Sequence, residues 1–148
     1  TGVSQVPYNR MEKVLFAILH IAKSEMSPPV VIWLFYAFET LFDTKVGENF
    51  RVMINRIELL LSLGEKESKL LRRNLRSLYD LRSSFVHGGM EVSHPIHSEQ
   101  LDENLSKNYH RLLDSVEFGF ALLLTAVQKI VDNNWKEVNF SETMDGVI

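Results

Sequence analysis

Between Pro29 and Asp43 the chain reads PVVIWLFYAFETLFD, apolar almost all the way round if it is wound as a helix. A helix that is apolar on every side cannot lie on a surface, so its neighbours must enclose it. Val30, Val31, Ile32, Trp33 and Tyr36 are also good strand formers, but the run from Ala37 to Phe42 favours helix over strand. The prolines before it are tolerated only at a helix start, with Ser27 as the expected cap.

The flanking segments have the pattern needed to surround such a helix. From Tyr8 to about Lys23, Met11, Val14, Leu15, Ile18, Leu19 and Ala22 recur at three- and four-residue intervals. Phe50, Met53, Ile54, Ile57, Leu60 and Leu61 do the same over about Glu48 to Ser62, with Gly64 as the expected stop. A fourth helix is expected from Glu65 to His87. After the breaker-rich loop GGMEVSHPIH, a long helix should run from Ser98 to about Asp132, with a bend near Ser106 to Asn108. The expected fold is therefore all-α, a bundle of about five helices.

The 148 residues fit one domain: an N-terminal helix extension over 1–28, a core bundle over 29–132 and a polar, loosely held tail over 133–148. Because the chain begins at Thr1, it is expected to be a module of a longer protein with other domains. There is no cysteine, which excludes disulfides and thiolate metal sites and suits a reducing, cytoplasmic setting. Neither PPVVIWLFYAF nor FGFALLLTAV approaches the roughly 18 to 20 residues of a membrane span, and the residues TGVSQVPYN do not resemble a secretory signal. A net charge of −3 provides no global attraction for nucleic acid, so any such argument must be local.

Local chemistry concentrates in SLYDLRSSFVHGG, residues 77–89. At about 100° per residue, Leu71, Leu75, Leu78, Phe85 and Val86 share one apolar sector, and Arg82 falls near its middle. An unpaired charge there would cost several kcal/mol, at least about 3. Two partners are open to it. Glu39, which interrupts the apolar second helix, can form an internal ion pair; alternatively the sector opens on a cleft where the guanidinium fork awaits an anion such as phosphate. His87 lies about 140° round from Arg82 on an ideal helix, just before the stop at Gly88 and Gly89. The same helix carries Lys66, Lys69, Arg72, Arg73 and Arg76 against Glu67 and Asp80, either a phosphate-attracting face or a solvated one. His94 and His97, with His87, are a weaker constellation without the carboxylate pattern of a metal site, and no metal or cofactor is expected.

Arg82, four intervening residues and His87, set in LYDLRSSFVHG, resemble the signature of the HEPN superfamily (higher eukaryotes and prokaryotes nucleotide-binding), in particular its Apea-like branch. FETLF and INRIELLL sit where that branch has an acidic residue in a buried helix and a leucine-ended helix; the resemblance spans roughly residues 31 to 125. It implies a helical homodimer whose paired arginines and histidines line one cleft. Many such domains are metal-independent endoribonucleases, while others bind RNA, a nucleotide or a protein partner without catalysis. Active members often carry Asn, Asp or His after the arginine; this chain has Ser83.

The residue types suit RNA cleavage. RNA supplies its own 2′-hydroxyl nucleophile, a histidine of pKa about 6.5 can move the protons, and an arginine can hold the charge developing on the phosphorane. The expected roles are His87 as general acid/base, Arg82 as phosphate clamp, Ser83 and Tyr79 as positioning groups and Glu39 as the group orienting Arg82. The products would be a 2′,3′-cyclic phosphate and a 5′-hydroxyl. In the alternative reading, a noncatalytic module keeps Arg82 locked to Glu39.

Overall fold

The computed structural model describes residues 5–44, 50–92, 94, 103–141 and 146, and within them the side chains of all but 104 and 105. Five helices make up the described secondary structure: α1 Arg10–Lys23, α2 Pro29–Leu41, α3 Phe50–Leu61, α4 Glu65–Val86 and α5 Glu103–Asp132. The fold is the all-α bundle expected from the periodicity. The last helix passes without interruption through the Ser106 to Asn108 stretch where a bend was expected.

The α2 helix occupies the centre and packs against α1, α4 and α5. Its Val30, Val31, Leu34, Phe35, Ala37, Phe38 and Leu41 are all buried, and Pro29, Ile32 and Tyr36 are exposed. Val14, Ala17 and Ile21 of α1 belong to the same core cluster, as do Val116, Leu123, Ala126 and Ile130 of α5. The segment after α5 is anchored as far as Phe140, which packs on Phe42 and lies beneath the Arg56 guanidinium. Arg10 holds the adjacent backbone by donating to the Val138 carbonyl.

Helix ends depart from expectation in two places. Pro28, rather than Ser27, is the N-cap of α2, and the Ser27 hydroxyl donates instead to the Glu25 carbonyl. Pro29 then takes the first helical position, where its missing N–H is no loss. The turn ending α3 falls on Ser62, at φ 51°, with the Leu63 amide donating to the Glu58 carbonyl; Gly64 becomes the N-cap of α4. At the far end of α4, Gly88 does supply the expected stop: its φ of 74° reverses the chain so that the Gly89 and Met90 amides both reach the Ser84 carbonyl.

Candidate functional site

Arg82 stands in the last full turn of α4. Leu71, Leu75, Leu78 and Leu81 are the buried face of this helix, whereas Phe85 is half-buried and Val86 is 53% exposed. The apolar sector read from the sequence therefore ends earlier than expected, because the helix emerges from the bundle in its final turn. Arg82 lies at that point of emergence, with 24% of its side chain exposed, so it has access to both interior and solvent.

The interior side is Glu39. It sits near the end of α2, where a tight reversal follows: Asp43 adopts φ 51° and the Thr44 amide donates back to the Glu39 carbonyl. The Arg56 guanidinium donates to the Phe42 and Asp43 carbonyls and so caps the same end. With its backbone held in this way, Glu39 places Oε1 3.6 Å from an Arg82 terminal nitrogen. One helical turn earlier, Phe35 puts its ring face 5.4 Å from the Arg82 guanidinium carbon. The guanidinium is thus positioned by a charge and a ring, both on α2.

This pairing leaves Arg82 unsaturated. An ionic contact of 3.6 Å is beyond hydrogen-bond length, and no hydrogen bond to the Arg82 side chain exists among the described residues. A guanidinium has five N–H donors in a rigid fork. Among the described residues that capacity is not taken up by a hydrogen bond, so it is open to water or an anion. On the other side of the pair, burial pushes the Glu39 carboxyl above its ordinary value, and the nearby Arg82 charge only partly opposes this.

Tyr79, one turn before Arg82 on α4, meets Phe35 edge-on at 5.9 Å and Phe50 of α3 at 4.7 Å. Its role in the structure is to tie three helices together behind Arg82. Ser83 is half-buried, and its carbonyl accepts the His87 amide at 3.0 Å. His87 is the C-cap of α4 and is exposed. Among the described residues no hydrogen bond or ion pair joins its ring to Arg82 or Glu39. Arg82, Glu39 and Tyr79 therefore belong to one cluster, while His87 stands apart at the helix end.

Residues not anticipated from the sequence complete the surroundings. Phe35, not among the candidate site residues, joins Arg82 to Tyr79. Its spacing of four before Glu39 was the available signal. Beside Glu39, an open groove of about 590 Å³ runs between the start of α1 and the end of α2, lined among others by Arg10, Lys13, Tyr36 and Asp43. Of the histidines weighed as metal ligands, His97 lies outside the described residues, and among the described residues no group of three or more His, Asp or Glu is placed to hold a metal ion. Among the same residues no helix is long and apolar enough to cross a membrane.

No known protein family, curated protein or solved structure significantly matches the chain. The HEPN-like reading accordingly rests on the Arg82 to His87 segment and on what surrounds it.

Proposed function

We propose that the chain is a metal-independent endoribonuclease, cleaving RNA to 2′,3′-cyclic phosphate and 5′-hydroxyl ends in a cleft shared by two copies. The observation that carries this reading is the state of Arg82: oriented by Glu39 and Phe35, partly exposed, and with no side-chain hydrogen bond among the described residues. A guanidinium held in this way loses little conformational freedom on meeting a phosphate, and its fork matches the nonbridging oxygens. His87 is on the same helix end and exposed, so its ring is accessible to a bound RNA as a proton-transfer group. Its distance round the helix from Arg82 suits a two-fold arrangement, in which the histidine of one copy approaches the arginine of the other and two histidines serve as base and acid.

The Arg82–Glu39 pair also favours a second reading, a noncatalytic module binding RNA, a nucleotide or a protein partner, in which Arg82 stays locked to Glu39 and His87 only ends the helix. Incubation of labelled single-stranded RNA with the protein in EDTA separates the two. Cyclic-phosphate products that disappear in Arg82→Ala and His87→Ala, with the dimer mass unchanged by light scattering, support the nuclease. Retained RNA binding without any cleavage supports the module, and a strictly monomeric protein that cleaves removes the shared cleft.

A further inference from the structure

The basic residues of α4 differ in what already neutralises them. Arg72 is bound in two-pronged fashion to Glu58, at 2.8 and 3.2 Å. Lys69 pairs with Glu65 at 3.3 Å, and Arg82 has Glu39. Arg76 has no carboxylate among the described residues. Its guanidinium rests instead on two rings, 5.2 Å from the centre of Phe50 and 5.9 Å from that of Tyr79.

Those rings are continuous with the Arg82 site. Phe50 packs on Tyr79, Tyr79 meets Phe35, and Phe35 carries Arg82. Arg76, Tyr79 and Arg82 follow one another at three-residue steps along α4, so the two arginines are about 9 Å apart along the helix axis and joined through one aromatic floor. A ring face orients a guanidinium while leaving its outward edge open to a ligand. Exposed, seated on two rings and without a carboxylate partner among the described residues, Arg76 has the properties of an anion contact rather than of a structural ion pair.

We propose that Arg76 is a second phosphate-binding residue, engaging the RNA backbone beside the phosphate held at Arg82. This rests on the RNA reading above, and it names the direction in which the strand runs: from the α4 helix end back along the Phe50–Tyr79 floor. RNA is the occupant favoured because its phosphates repeat along the strand, as two separate arginines on one floor require, and because phosphate matches the guanidinium fork.

The test is the salt dependence of binding to a labelled 2′-O-methyl oligouridylate, whose blocked 2′-oxygen prevents cleavage during the titration. Each lost phosphate contact on a single strand lowers the slope of log K against log salt by about 0.7. Arg76→Gln is expected to show that loss, with affinity about tenfold lower at low salt. Arg76→Lys should recover the slope but not the full affinity, since a point charge lacks the fork. Lys129→Gln, an equal change of net charge on α5, should leave the slope unchanged. An unaltered slope in Arg76→Gln overturns the proposal; if Arg82→Ala still lowers it, the RNA reading survives alone. Failure of the wild-type protein to bind the oligonucleotide at low salt overturns both. A slope lost in Arg76→Gln from a protein that cleaves no RNA upholds this site and refutes only the nuclease.

Discussion

Gly119 sits in the middle of α5, where a glycine costs about 1 kcal/mol relative to alanine. On propensity alone, Gly119→Ala should therefore stabilise the protein. The packing predicts the opposite. A Cβ at this position would lie 2.7 Å from Cδ2 of Leu78 and 3.1 Å from Cδ1 of Leu34, where carbon atoms are comfortable at about 3.5 to 4.0 Å. Both leucines are fully buried, so neither methyl can swing into open space. Overpacking of this kind costs about 1 to 3 kcal/mol. Set against the propensity gain, it leaves a net loss of about 1 kcal/mol, or roughly 2 to 4 °C in Tm for a chain of this size. Urea denaturation of Gly119→Ala measures it directly. The decisive comparison repeats the substitution in a Leu78→Val background, which removes the opposing methyl: there the same change should become neutral or stabilising. Stabilisation of the wild-type background, or the same loss in both, would refute the steric argument. The consequence extends to the site, because Leu78 is one turn from Arg82 and Leu34 adjoins Phe35; the glycine permits the close approach of α5 to both α4 and α2.

Four further outcomes are expected. Because the folded Glu39 carboxyl titrates above its unfolded value, wild-type stability should fall as pH rises from the ordinary glutamate range through the raised value. The Glu39→Gln variant lacks that component, so its stability relative to wild type should improve across the same window; urea titrations at a series of pH values would exclude this if the difference ran the other way. Arg82→Leu should alter stability by only about 1 kcal/mol, since the pair is long and partly exposed, while lowering RNA cleavage about 100-fold or more; a large stability loss would mark the arginine as structural. Asn9 caps α1 by accepting the Glu12 amide at 2.8 Å, and Asn9→Ala should cost about 1 kcal/mol by thermal or urea melting. Leu75→Ala, which truncates a fully buried α4 residue, should cost about 2 to 5 kcal/mol, and a loss below that range would show that the core around α4 collapses to fill the space.

Much of the fold was legible because helical burial is periodic in the sequence. The central place of α2 followed from its lack of a polar face, and the stop of α4 from Gly88, whose positive φ is realised. Arg82 and Glu39 could be singled out for the same reason, each being a charge where the pattern called for an apolar residue. The turn after α3 was misplaced onto Gly64 because Ser62 gives no comparable sign of its left-handed conformation. Phe85 and Val86 were assigned to the apolar face because periodicity records angle around a helix and carries no information on where that helix leaves the bundle.

From its own sequence, then, this chain determined its helices, their buried faces and the two charges that had to be accommodated among them. Only the tertiary structure decided how they are accommodated. Whether Arg82 meets Glu39, whether Phe35 lies under it, and whether Arg76 is neutralised depend on how α2, α3 and α4 register against one another. That register is set by close contacts such as Gly119 against Leu34 and Leu78. Local pattern specifies which face of a helix avoids water, whereas contact between residues distant in the chain is selected by the shape in which those faces fit together.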